Sequence, residues 1–305
     1  MRIGVTIGGE SIGVPGTPAE LVEQACAAEA EGFPAAWSVH FSRGVDALSV
    51  LAVAGTRTST IDLGVGVVPT YPRHPLALAQ QAATAQVFCG GRLTLGVGVS
   101  HRPVIEGLHG LAYTAPAAHM REYLSVLVPL LRTGSVTHAG EHYRVDGGFV
   151  VPGTGPVSVV VGALAPRMLD AAGELADGVV TWMAGPASLE AVIVPRLLAA
   201  AAGRAAPRVV AAVPVAVCDP ASGREAAAEV FARYGGLENY QRQLEREGAT
   251  SVADLAVVGD QDDVRRALRR YADVGVTDLW ATVFPVGPDA DASVRRTRAL
   301  LAGGL

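Results

Sequence analysis

Lysine does not occur in this 305-residue chain, and all 24 of its basic residues are arginine. No lysine means no Schiff base, which excludes PLP enzymes and class I aldolases. The phosphate-loop lysine of nucleotide-binding proteins and the strand lysine of protein kinases are excluded with it. Cysteine is scarce: Cys26, Cys89 and Cys218 are odd in number, far apart and free of any CxxC spacing, so neither a disulfide framework nor a zinc ribbon is expected. Charge is sparse at 17% of residues, and the net charge of −5 leaves no basic footprint for nucleic acid. Long apolar runs are also missing. The longest is about nine residues, Val209 to Val217 with Pro214 inside, far short of a membrane span. The N-terminus reads as a first strand with no apolar signal region, so a cytoplasmic protein in a reducing interior is expected.

What is present is apolar material, 50% of the chain with a mean hydropathy of +0.33, enough for a large core. Short β-branched runs alternate with longer Ala-rich stretches. The predicted strands are Arg2–Ile7, Ala35–Val39, Ile61–Val68, Arg92–Val97, Val157–Val161, Gly178–Trp182, Arg208–Val217 and Thr277–Val283. Several are apolar on both faces, as parallel strands covered by helices must be. Eight strands, each followed by a helix, in a chain of roughly 250 to 300 residues is the arithmetic of a (β/α)8 TIM barrel, an α/β fold. No low-complexity linker interrupts it, so residues 1–305 are expected to form a single domain. Thr17-Pro18-Ala19-Glu20 is a capping box with Gly32 closing its helix, and Asp260 opens another helix that ends at Gly275.

Two gaps exceed ordinary strand spacing. After strand four come a helix, about Ala115–Leu131, and VTHAGEHYRVDG, whose alternation around Ala139-Gly140-Glu141 reads as an inserted β-hairpin. After strand seven come helices over Arg224–Tyr234 and Leu237–Glu247. Both insertions follow strand C-termini, where a barrel builds its substrate loops.

Those C-terminal ends carry His40, Gly66 to Thr70, Gly98 to Arg102, Gly162 to Arg167, and Trp182-Met183. This apolar, glycine-rich set suits a flat organic cofactor better than a metal, and no metal site is expected. His138 and His142 lie on a hairpin where a spacing of four does not converge them, and HAGEH is not HExxH. Gly64-x-Gly66 and Gly96-x-Gly98 each lack the third glycine of a dinucleotide fingerprint, and strand-end glycines otherwise serve tight packing or close backbone approach to a ligand. Gly98-Val99-Ser100-His101-Arg102 imitates a hydrolase nucleophile elbow but ends in Arg102, and His101 follows Ser100 too closely to be its base. Asp177-Gly178 and Cys89-Gly90-Gly91 precede strands and read as structural turns on the opposite face. His74 before Pro75 reads as a helix-start residue, while Arg73 is placed either in that rigid loop or facing the pocket.

The segments IDLGVGVVPTYPRHPLALAQQAATAQVFCGGRLTLGVGVSHRPV and VSVVVGALAPRMLDAAGELADGVVTWMAGP resemble the bacterial luciferase-like flavin and deazaflavin oxidoreductases, over their strand three to strand four and strand five to strand six units. The resemblance covers nearly the whole chain and is nearest to actinobacterial members that use coenzyme F420. It implies F420 as cofactor, with FMN as the alternative, and a reaction moving hydride between the ring and a small organic substrate. His40 matches a histidine near the reactive ring, although the acid that precedes it in deazaflavin members is Val39 here. Gly66-Val67 matches a non-prolyl cis peptide behind the ring. Val99, Ser100 and His101 match the loop beside it. Gly162, Ala163, Leu164 and Ala165 match a phosphate-binding loop, with Arg167 and Arg102 as further positive charge. A homodimer is common in that family. The rival readings are an FMN-dependent monooxygenase on the same fold, a catalytically silent flavin-binding barrel and, least supported by its residues, a serine hydrolase.

Overall fold

The computed structural model describes residues 1–8 and 16–304. Eleven strands are present there: β1 (Arg2–Ile7), β2 (Ala35–Ser38), β3 (Asp62–Pro69), β4 (Leu93–Gly98), β5 (Ser135–Ala139), β6 (Arg144–Gly148), β7 (Ser158–Gly162), β8 (Gly178–Trp182), β9 (Arg208–Val217), β10 (Val257–Gly259) and β11 (Asp278–Val283). Each predicted strand is found, displaced by no more than one residue at either end. Eight of them pair in parallel as β1-β2-β3-β4-β7-β8-β9-β11, and β11 returns to β1, so the sheet closes into a (β/α)8 barrel. β9 is long enough to pair with β8 along Arg208–Ala212 and then, past the end of β8, with the extra strand β10.

The helix signals act as read. Thr17 and Glu20 complete a reciprocal capping box, and Gly32 turns the chain at φ +89°. Asp260 accepts from the backbone N–H groups of Asp262 and Asp263, where a first-turn acid also suits the helix dipole. β5 and β6 form the hairpin after β4, packed on the helix Pro116–Thr133. After β9 the insertion forms helices Pro220–Val230 and Glu238–Glu247 with a single 3-10 turn, Ala232–Tyr234, between them. The break falls at Phe231, whose ring is wholly buried against Trp182 and Phe284.

Leu, Val and Ala from the outward faces of the strands meet the helix layer in one large apolar shell. The lumen holds a smaller set, dominated by Trp37 and Trp280. A Cβ on Gly64 would strike the Trp37 indole, and one on Gly66 would strike Trp280. These glycines therefore make room for two tryptophans inside a narrow barrel. At the N-terminal end the guanidinium of Arg208 closes the lumen, donating to Asp278 and Thr94 at 3.0 Å and to Ser158 at 3.3 Å. Asp177 lies on that same face, where it accepts from Val159 N–H and pairs with Arg132. This polar network plugs the lower end of the barrel.

Candidate active site

The open end leads into a cavity of ≈ 290 Å³. Of the residues expected there, His40, Gly66, Val67, Val99, Ser100, His101, Gly162, Ala163 and Leu164 line it. Ala165 and Arg167 do not; Arg167 is exposed at the start of the helix Pro166–Leu175. Arg102 is turned to the surface, pairing with Glu106 at 2.6 Å and lying over the Tyr113 ring.

The floor is made by β3. Its register against β4 shifts between Val65 and Val68, a bulge, and the Gly66–Val67 peptide is cis, as the resemblance implied. The bulge carries Val67 into the cavity, where Cβ atoms on Gly98 or Gly162 would collide with or crowd it. Glycines from β4 and β7 thus leave a smooth slot around one valine. Behind it, Thr6 accepts from Trp280 Nε1 at 2.7 Å and touches Thr282 at 3.0 Å.

One wall comes from the insertion after β9. Phe231, Tyr234 and Tyr240 line the cavity, with Tyr234 and Trp182 edge to face at 5.6 Å and Tyr234 and Tyr240 at 5.3 Å. These aromatics were not singled out from the sequence. Their only signal is that an insertion beyond a strand C-terminus is where such residues belong. His101 faces them, 6.3 Å from the Tyr240 ring, and burial lowers its pKa, favouring the neutral ring.

His40 lines the same cavity, after β2. Its Nδ1 accepts from the Ala47 backbone N–H at 3.3 Å. Burial lowers its pKa and the Arg73 charge adds to that, against a smaller opposing effect of Asp46. Arg73 does not enter the main cavity. It is bound to Asp46 at 2.5 Å and to Gln81 at 2.8 Å, and lines an adjoining hollow that also touches His40. Burial alone would raise the Asp46 pKa, but the bonds from Arg73 and Ser49 outweigh it and hold it at about 2. His74 caps the helix Pro75–Phe88, its Nδ1 accepting from Leu76 N–H.

The loop after β7 is narrower as an anion cradle than expected. The Ala163 N–H donates to the Val180 carbonyl at 3.3 Å, so it is already used. Pro166 has no N–H, which leaves the amides of Leu164, Ala165 and Arg167 at the head of the helix. Ser100 adopts a left-handed backbone, φ +59°, but no hydrogen bond joins its hydroxyl to an imidazole among the described residues. The serine-hydrolase arrangement is therefore not assembled.

Outside the cavity, Glu122, Glu141 and His142 bring ligand-type atoms within 4.8 Å of one another. Glu122 spends its oxygens on the backbone N–H groups of Glu141, His142 and Tyr143, which ties the hairpin to the helix beneath it. His138 Nε2 also approaches Glu122, at 3.5 Å. Between hairpin and barrel lies a buried aromatic group that the sequence did not reveal. His119 stacks on Tyr71 at 3.9 Å, meets the Thr70 hydroxyl at 3.0 Å and has its pKa lowered to about 4, chiefly by burial.

Comparison with known proteins agrees with this architecture. Residues 1–278 match the family described as luciferase-like monooxygenase. The chain is 26% identical over 315 residues to the 5,10-methylenetetrahydromethanopterin reductase of Methanolobus tindarius, covering 92% of this chain and 95% of that protein. The coenzyme F420-dependent tetrahydromethanopterin reductase of Methanopyrus kandleri superposes with a TM-score of 0.81 at 24% identity, over 99% of this chain and 97% of that one. An F420-dependent secondary alcohol dehydrogenase, solved with an F420–acetone adduct, superposes with a TM-score of 0.76 at 20% identity, over 98% and 97%. Among the described residues no helix is long and apolar enough to cross a membrane.

Proposed function

Because the chain belongs to the luciferase-like monooxygenase family, we propose that it is a coenzyme F420-dependent oxidoreductase acting on a small organic substrate. One observation carries the reading: a smooth slot at the C-terminal face of the barrel, with Val67 as its floor between Gly98 and Gly162. No Asp, Glu or Arg lines that cavity among the described residues. A flat, largely uncharged ring fits such a slot. The Thr181 hydroxyl, buried without a partner on the cavity wall, supplies a polar contact for it. The F420 dependence of two proteins with this fold, one of them a reductase of the same class as the Methanolobus relative, favours the deazaflavin.

Bound there, the deazaflavin supplies hydride chemistry, and the protein supplies position and electrostatics. Val67 would support one face of the ring, with Val99, Ser100 and His101 along its side. Leu164, Ala165 and Arg167 would direct amides at its phosphate from the head of a helix, where the dipole favours an anion. His40 would reach the reacting edge, and the Phe231, Tyr234 and Tyr240 wall would exclude water from the substrate. A second copy of the chain is the proposed partner, and the cytoplasm the proposed compartment.

The family's monooxygenase description favours one alternative, an FMN-dependent enzyme that uses oxygen. Mixing the protein with reduced F420 and a panel of ketones, imines and enones, with and without air, separates the readings. Substrate-dependent F420 oxidation without oxygen uptake supports the proposal. Oxygen uptake with reduced FMN supports the alternative, and stoichiometric binding with no turnover supports a silent flavin-binding barrel.

A further inference from the structure

His40 has two ring nitrogens, and the fold has already committed one of them. A neutral imidazole carries one N–H and one lone pair, and a backbone N–H can bond only to the lone pair. Ala47 N–H bonds to Nδ1, so the ring proton belongs on Nε2. Ala47 is wholly buried as the first residue of the helix Ala47–Arg57. Protonating Nδ1 would leave its amide without a partner and place a cation at the positive end of a helix dipole. Two independent features therefore oppose a proton on Nδ1.

Asp46 makes this arrangement rigid. Its Oδ1 accepts from the Ser49 N–H at 2.8 Å, capping the helix, and its Oδ2 is clamped by Arg73 at 2.5 Å. The first turn, and with it the Ala47 amide, is fixed relative to His40. The charged and titratable groups that share a cavity with His40 are Asp46 from its own loop, Arg73 from the loop after β3 and His109 from the loop after β4 on the adjoining hollow, and His101, Tyr234 and Tyr240 on the main cavity. Arg233 lies over the ring of the next residue, Phe41. Asp46 and Arg73 neutralise each other, so this surround does not favour a cationic imidazole.

We propose that Asp46 is a positioning residue which, through the Ala47 amide, holds His40 as the neutral Nε2–H tautomer, a one-proton hydrogen-bond donor to an oxygen or nitrogen acceptor of the bound ligand. In the proposed oxidoreductase, on which the identity of that acceptor rests, His40 orients and polarises its partner and keeps its proton. Val39 precedes His40, so no acid stands beside it in the chain, and Asp46 does not take that place. Asp46 acts on Nδ1 through a backbone amide, away from the reacting edge.

Long-range ¹H–¹⁵N correlation spectra of the uniformly labelled protein read imidazole tautomers directly, with His40→Gln identifying the His40 signals. In the ligand-free protein at neutral pH, His40 is expected to show a protonated Nε2 and an unprotonated Nδ1. A cationic ring, or a proton on Nδ1, would overturn the proposal. Asp46→Asn, which keeps a helix cap, should leave that signature intact. Asp46→Ala should give a mixture of the two tautomers, and an unchanged single tautomer would overturn the positioning role of Asp46. Because the spectra need no F420, they stand or fall separately from the cofactor reading, which a parallel F420 titration tests.

Discussion

The indole rings of Trp37 and Trp280 stack inside the barrel with centroids 5.3 Å apart and planes 17° from parallel. They stand on β2 and β11, with β1 between them, and Gly64 and Gly66 of β3 leave room for them. Gly64→Ala should therefore destabilise the protein by about 1–3 kcal/mol through overpacking. Thermal denaturation checks this, and an unchanged midpoint would mean the indoles can shift at no cost.

The glycines illustrate what a sequence makes legible. Gly64-x-Gly66 and Gly96-x-Gly98 were open to two readings, tight packing or close approach to a ligand. Gly64 packs on Trp37, while Gly98 gives space to Val67 at the cavity floor. Which neighbour fills a lumen is a long-range fact that no local pattern carries. The barrel itself was legible because parallel strands are continuous β-branched runs and its helices bear caps at their ends. The three-residue β10 escaped, since Val257–Gly259 is too short to show a period and pairs only because β9 outruns β8.

His40→Ala should lower turnover by about 10²-fold while leaving F420 affinity nearly unchanged, because a donor to the reacting centre acts most strongly in the transition state. Steady-state kinetics beside a binding titration separate the outcomes. Normal turnover with lost binding would make His40 a cofactor clamp, and normal values for both would make it structural.

Ala165→Asp offers a sharper probe of the phosphate position than a change at Ala163, whose amide is occupied by Val180. Ala165 is the cap residue of the helix Pro166–Leu175 and makes no side-chain bond there. Aspartate favours such a cap, so the fold should hold, yet its carboxylate would take the free amides and repel an anion. Cofactor affinity should fall by about tenfold or more, equivalent to about 1.4 kcal/mol. Unchanged affinity would place the phosphate elsewhere.

His119 predicts an acid-sensitive stability. In the folded chain its pKa is lowered from 6.5 to about 4, with burial the largest cause. Between those values the unfolded chain binds the proton and the folded one does not. The contribution is therefore complete above pH 6.5 and lost as pH falls toward 4. His119→Gln, which removes the titrating ring, should flatten this part of the stability profile. An equally steep loss in that variant would assign the effect to other groups. Neither the stacking on Tyr71 nor the bond to Thr70 was legible, because His119 lies 49 residues from Thr70 in sequence.

The cofactor is the centre of the account, and equilibrium titration tests it most directly. Coenzyme F420, FMN and FAD are each added to the protein while fluorescence quenching is followed. Saturable binding of one F420 per chain is expected, with FMN and FAD at least about tenfold weaker, a difference of about 1.4 kcal/mol. FMN or FAD binding more tightly than F420, or no saturable binding of F420, would contradict it.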